Sequence, residues 1–354
     1  MVKNNIKLIF QTAMVFVGTI VGAGLASGQE IVYFFTRFGK WSFLSLLLPL
    51  LLYVFIGRMV IILAVKYNLR SYDELMTKVS PGILGKITGI FTTLHLLSSS
   101  SIIVAGSGAL IHQYFHVSKY IGTVIMVFIA IIALLRNIKG LVEINSFIVP
   151  SLTLVIITIF ILYIRFSSNL TVNFSNFPQF REQNFWLVSA ILYGGFNIMG
   201  CSGVLTPLSN ETKKTKPLIV GLFLGAFLLT LLSLIINLML TLNVPNIFKY
   251  EIPLLYVAHR FGSIFQVTLL IIIFAEMFST IVSDVFSISR TLGTSFKLGY
   301  KKALFLVMLI IIPISRLGFG NLIATLYPIF GVVSLIFLFQ ITKFYYKDKS
   351  HFSK

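Results

Sequence analysis

Glycines fall at Gly18, Gly22, Gly24 and Gly28 inside an otherwise apolar run, GTIVGAGLASGQE, that ends on Gln29 and Glu30. Glycine is a poor helix former, and a helix broken there exposes backbone groups that its own ladder no longer satisfies. The segment starting near Ala23 would present free N–H groups and a positive dipole end, with Ala23, Gly24 and Leu25 as donors suited to a carboxylate. The segment ending near Gly18–Val21 would present free carbonyls, suited to a cation or an ammonium group. A second glycine cluster, YGGFNIMGCSG from Tyr193 to Gly203, could form a facing wall. There Gly194 and Gly195 let the backbone open, Phe196 offers an apolar face and Asn197 a hydrogen-bonding amide. A third run carries Glu276-Met277-Phe278-Ser279-Thr280, then Ser283 and Asp284. An acid at the centre of a membrane helix costs about 2.5–3.5 kcal/mol on insertion scales. Glu276 is therefore a candidate proton carrier, or a counter-ion to a cationic solute or to an inward-facing Arg58. Glu30 poses the same question nearer the outer face.

Each feature has a plainer reading. Gly18-x-x-x-Gly22 and Gly24-x-x-x-Gly28 fit close helix packing. Phe196 is one of 34 phenylalanines and fits a lipid-facing position. Ser279 and Thr280 fit hydroxyls bonded back to their own helix. Ser98–Ser101 with Ala105, Gly106, Ser107 and Gly108 fit either a polar path or tight packing. His112 and His116 have the i, i+4 spacing of a metal pair, but no third ligand is evident and a solvated helix end suffices.

The elements that must hold these groups are set by composition. The chain has 354 residues, 57% hydrophobic and 11% charged, with a mean hydropathy of +0.97. Soluble domains carry about 25% charged residues, so lipid must be the solvent here. One cysteine, Cys201, excludes an internal disulfide. The net charge of +18 would suggest nucleic acid in a soluble protein, but the basic residues sit in short loops between apolar runs. The sequence predicts an all-α integral membrane protein with no nucleic-acid partner and no enzyme-like nucleophile–base pair, metal cluster or phosphate loop.

Ten apolar segments are read near 8–36, 42–65, 86–112, 119–135, 141–165, 184–207, 217–242, 262–290, 300–315 and 320–342. Residues 1–354 form one transmembrane domain, with 66–85, 166–183 and 243–261 as the longest loops. Lys3, Lys7 and Leu25-Ala26-Ser27 mimic a signal peptide, but the apolar run is long enough to be a retained helix. Tyr72-Asp73-Glu74-Leu75 starts either a short interfacial helix or a plain connector. With both termini in the cytoplasm, nineteen Lys and Arg fall inside, among them Lys66, Arg70, Lys78, Arg136, Lys139, Lys213, Lys214, Lys216 and Lys297. Eight fall outside, including Arg37, Lys119, Arg181 and Arg260. That bias predicts cytoplasmic termini and an even number of spans. The glycine clusters open segments one and six, the first members of two five-segment halves, about 6–165 and 184–342. Five is odd, so the halves would be inverted repeats, and paired interruptions in helices 1 and 6 point to a midplane binding site.

Gly18-Thr19-Ile20-Val21-Gly22-Ala23-Gly24 resembles the unwound first helix of the amino acid–polyamine–organocation superfamily, whose members share the leucine-transporter fold. The longer string GTIVGAGLASGQEI, with AGSGAL at Ala105–Leu110, is similar to the YkvI-type membrane proteins. The resemblance implies a secondary active transporter in the plasma membrane, an ion-coupled symporter of an amino acid or related small solute working by alternating access. A receptor that kept the fold and binds a solute without moving it is the alternative. It also implies a sodium site made by the carbonyls of Gly18 and Val21 and the hydroxyls of Ser279 and Thr280; hard oxygen ligands suit a hard cation. Some relatives place an asparagine for a second sodium where this chain has Leu25, and some proton-coupled relatives place a lysine in segment five, where Leu141–Arg165 has none. Sodium or a proton would be the coupling ion, with no other cofactor and no other metal. Oligomeric state is not readable from the sequence.

Overall fold

The computed structural model describes residues 2–80, 82–135, 141–166, 183–295 and 298–350. The loop residues Arg136, Lys139, Arg181 and Lys297, and Lys354 of the tail, lie outside the described residues. Everything described is helix, turn or irregular connection. The first apolar run forms α1 (Val2–Ile20), α2 (Ala23–Ser27) and α3 (Gln29–Phe34). A 3₁₀ segment and the short α4 (Ser42–Ser45) lead into α5 (Leu47–Tyr67). Then come α6 (Tyr72–Val79), α7 (Ile83–Phe115), α8 (Lys119–Leu135) and α9 (Leu141–Phe166). The second half holds α10 (Trp186–Thr212), α11 (Thr215–Thr241), α12 (Pro253–His259), α13 (Ser263–Ser295), α14 (Tyr300–Ser315) and α15 (Phe319–Ser350).

Among the described residues seven stretches are long and apolar enough to cross a membrane, with shorter apolar helices at Asn5–Ile20 and Lys119–Leu135. The protein is a multi-pass membrane protein. Its outward faces confirm the solvent: α8 exposes Tyr120, Val124, Phe128 and Leu135, and α15 exposes Ile329, Val332, Ile336 and Phe339. Such stripes are tolerated where hydrocarbon, rather than water, meets them. The 66–85 loop contains α6, whose first turn is capped by Ser71 accepting from the Glu74 amide at 3.2 Å.

Small residues set the helix contacts, as packing rather than hydrophobic exclusion must do within lipid. A Cβ at Gly221 of α11 would stand 2.6 Å from the Ile9 carbonyl of α1, and one at Gly57 of α5 would stand 2.7 Å from Leu222 of α11. The packing partners exchange when the two halves are exchanged. α5 lies on α10 as α11 lies on α1; α7 lies on α8 as α13 lies on α14; α13 lies on α9 as α7 lies on α15.

The sixth apolar segment departs from expectation. Instead of breaking between Gly194 and Gly203, it runs as one 27-residue helix, α10. Its glycines serve packing. A Cβ at Gly194 would approach Leu52 to 2.8 Å and the Pro49 backbone to 3.1 Å, and one at Gly195 would overlap the Ser334 hydroxyl. Gly194 thus lets α5 come close and Gly195 lets α15 come close, while the backbone ladder continues through both.

Candidate functional site around the first-helix break

α1 stops at Ile20. The Val21 amide still donates to Val17 O at 2.8 Å, but the Gly22 amide turns back to Ile20 O at 2.8 Å and Gly22 adopts extended backbone. Helical bonding resumes with Ala26 N donating to Gly22 O at 3.0 Å. Among the described residues no backbone N–H donates to the carbonyls of Gly18 or Val21, and the amides of Ala23, Gly24 and Leu25 donate to no backbone carbonyl. Gly22 faces open space, since a Cβ there would meet nothing within 4 Å. Ala23, Gly24 and Leu25 are buried.

A second turn follows after the 5 residues of α2. Gly28, at φ +83°, ends α2, and its amide donates to Leu25 O at 2.9 Å. Left-handed backbone of this kind suits glycine, which has no Cβ to clash. α3 leaves in a new direction and is fixed by three other helices. Tyr33 Oη donates to Ala324 O of α15 at 3.0 Å, and Ser189 Oγ of α10 donates to Phe34 O at 2.9 Å. Thr36 Oγ1 donates to Asn237 Oδ1 of α11 at 2.8 Å.

The result is that Glu30, on α3, folds back over α2. Its carboxylate and Cγ lie where a Cβ on Gly24 would be. Glu30 is only 3% exposed. The hydroxyls of Tyr193 from α10 and Tyr327 from α15 are directed at it, and Tyr53 from α5 stands in its electrostatic field with Asn197 beside it. A further acid, Asp284 of α13, lies across Tyr327 beside Ser99 of α7. Glu30 Oε2, Tyr53 Oη, Tyr193 Oη, Asn197 Nδ2 and Asp284 Oδ2 nonetheless complete no hydrogen bond of good geometry within the chain. Buried polar groups are nearly always satisfied, so these atoms are candidates to meet a ligand or water. Aromatic rings close it in. Phe196 lies 4.8 Å from Tyr327, 5.4 Å from Tyr193 and 5.8 Å from Phe34, ring centre to ring centre.

The expected residues are therefore partly gathered. Gly22, Ala23, Gly24 and Leu25 lie at the break; Phe196 is buried against Phe34, Tyr193 and Tyr327 rather than facing lipid, and Asn197 lies beside Tyr53. Gly194 and Gly195 are spent on α5 and α15. Ser279 and Thr280 lie on α13, which packs directly on α2. Thr280 Oγ1 donates to Glu276 O at 3.0 Å, which leaves its lone pairs free to meet a cation. Glu276 is 2% exposed, and its Oε2 has no partner in the chain. Arg58 is exposed on α5 and points away from the interior, so it is not a counter-ion for Glu276. Elsewhere the plainer readings hold. Gly106 packs against Phe319 and Met277, and Gly108 against the Lys119 carbonyl. His112 Nδ1 meets Val117 O at 2.6 Å at an exposed helix end. Among the described residues no three His, Cys, Asp or Glu side chains gather as a metal set.

Sequence reasoning gave no role to Tyr53, Tyr193, Tyr327 or Asp284. They come from four helices, and only the fold brings the tyrosines to Glu30 and Asp284 to Tyr327.

No protein-family model matches the sequence. The membrane protein YkvI of Bacillus subtilis (strain 168) is 31% identical over 328 residues, which is 93% of this chain and 93% of YkvI. The chain belongs to the YkvI family. Its fold recurs in a manganese transporter of Eremococcus coleocola in complex with an aromatic bis-isothiourea substituted compound. That match has a TM-score of 0.66 at 15% identity and covers 96% of this chain and 79% of the other. It recurs also in MhsT in complex with L-phenylalanine, with a TM-score of 0.65 at 16% identity, covering 94% and 87%. This YkvI-family chain thus has the leucine-transporter fold, and its structural neighbours are transporters, not enzymes.

Proposed function

We propose that the protein is a secondary active transporter of the plasma membrane, within the amino acid–polyamine–organocation superfamily. It moves a small amino-acid-like solute by alternating access, as an ion-coupled symporter. On this reading the chain crosses the membrane ten times with both termini in the cytoplasm, as inverted halves over about 6–165 and 184–342. The exchange of packing partners between those halves supports this arrangement. Irregular backbone at membrane depth persists only where it lines a cavity or binds something.

The observation that carries the reading is the interruption between Ile20 and Ala23. It leaves the Gly18 and Val21 carbonyls without backbone donors and is followed by Glu30, whose buried carboxylate has an oxygen with no partner in the chain. Gly18, Val21, Ser279 and Thr280 would hold the coupling sodium, with Glu276 as the carrier if a proton couples instead. One charge moved through 100 mV is worth about 2.3 kcal/mol, enough for roughly a 50-fold gradient. The test is uptake by the purified protein in proteoliposomes, with labelled amino acids and their derivatives, under sodium and proton gradients imposed separately. Gradient-driven accumulation is expected. Binding without accumulation under either gradient would favour a solute receptor on the same fold.

A further inference from the structure

Glu30 changes what the first-helix break can accept. The place beside Gly24, where a solute carboxylate would come against the broken helix, already holds a carboxylate of the chain itself. The groups that face Glu30 from the packed helices are the phenols of Tyr53, Tyr193 and Tyr327, with Asp284 across Tyr327. No Lys or Arg among the described residues stands with them, and the imidazole of His95 on α7 lies against Phe196, 6.4 Å between ring centres. The ion pairs between described residues, Lys66–Asp348 and Lys119–Glu251, lie elsewhere.

A buried carboxylate calls for a cation or a proton, because an isolated charge in a dry interior is costly. Bringing a second carboxylate beside it would add like-charge repulsion in a medium that screens poorly. The surrounding rings reinforce the preference. Phe34, Tyr193, Phe196 and Tyr327 pack together in one cluster beside Glu30, and aromatic faces attract ammonium groups. Carboxylate and aromatic faces together are the recognition chemistry of an organic ammonium ion. The phenol hydroxyls add acceptors for its N–H groups.

We propose that Glu30 stands in for the solute carboxylate, and that the site takes an amine without a free carboxylate, its ammonium against Glu30 and its body against Phe196 and Tyr327. This inference rests on the break being the solute site, as in the transporter reading, and narrows the solute from amino acid to amine.

Matched probes test it on the full-length protein in lipid nanodiscs. They are phenylalanine, its methyl ester and 2-phenylethylamine, with leucine, its methyl ester and 3-methylbutylamine, and the diamine 1,5-diaminopentane. Binding is read by calorimetry and by ligand-induced shifts in Tm. At least one amine or ester is expected to bind about tenfold or more tightly than its parent amino acid. Glu30→Gln, which keeps the volume and removes the charge, is expected to abolish that preference while the protein stays monodisperse. Equal or tighter binding of the parent amino acids, no binding by any amine, or a preference that survives Glu30→Gln overturns the proposal. If Glu30→Gln does not fold, the matched pairs on the wild type decide. An amine that binds but is not accumulated in proteoliposomes overturns the transport reading and leaves this one standing.

Discussion

The carboxylate of Glu30 occupies the position that a side chain on Gly24 would fill. The two residues are six apart and meet because Gly28, between them, turns the chain in left-handed backbone. The absence of a side chain at Gly24 is therefore explained inside the protein, before any solute is considered. Gly24→Ala forces its new methyl group into Glu30. Overpacking of this kind costs about 1–3 kcal/mol. Thermal unfolding in detergent should show a clear loss for Gly24→Ala and recovery in Gly24→Ala with Glu30→Ala. The pair is expected to couple, as residues in contact do. Additive losses would mean that the two side chains do not compete for one place.

Gly22, Gly194 and Gly195 should separate under the same assay. Alanine at Gly194 meets Leu52 and Pro49, and alanine at Gly195 meets Ser334, whereas alanine at Gly22 meets open space. The first two substitutions should each destabilise by about 1–3 kcal/mol. Gly22→Ala should leave Tm almost unchanged and act, if at all, on solute binding. A large stability loss at Gly22 with none at Gly194 would contradict the packing described for α10.

Ser279→Ala with Thr280→Ala tests the ion site. Thr280 gives up only a hydroxyl bonded back to its own helix, which contributes little to stability. The double variant should require roughly tenfold or more sodium for half-maximal uptake. Sodium stimulation unchanged from the wild type would rule these hydroxyls out as ligands. Proton coupling through Glu276 is tested in parallel. Loss of the pH dependence of uptake in Glu276→Gln is expected if it carries the proton, and an unchanged profile excludes it.

At the end of α5, Lys66 Nζ lies 2.5 Å from Asp348 of α15, and Tyr67 Oη donates to the same carboxylate at 2.6 Å. The pair is partly exposed, so it contributes within the 0–1 kcal/mol range of surface ion pairs and weakens with salt. Asp348→Asn should shift Tm by a degree or two at low salt and less at high salt. A loss above about 3 kcal/mol would show that this clasp is far more than a surface contact.

Much of the fold is legible in the sequence because the bilayer dictates hydrophobic length. Each of the ten apolar runs carries helix in the structure, and the interruption at Gly22 falls where the glycines suggest. Local sequence gives out where one signal serves two purposes. Gly22-Ala23-Gly24 and Gly194-Gly195 look alike, yet the first accompanies a break and the second admits α5 and α15; what decides is Leu52 and Ser334, far away in the chain. The cluster around Glu30 was illegible for the same reason. Glu30, Tyr53, Tyr193, Asp284 and Tyr327 are spread across five helices. The tyrosines look like membrane aromatics until α3 is seen to be pinned by Ala324, Ser189 and Asn237.

Alternating access at the first-helix break is most directly measured at Gly22. Cys201 is the sole cysteine in the chain and is buried. A Cys201→Ser background with Gly22→Cys places one thiol where a side chain meets no neighbour. Labelling by a membrane-impermeant maleimide is then followed in right-side-out and inside-out vesicles, with and without the transported solute. The account predicts modification from each face, in proportions that shift with the ion gradient, and protection by solute. A thiol that reacts from neither face, or whose labelling ignores both solute and gradient, would contradict it.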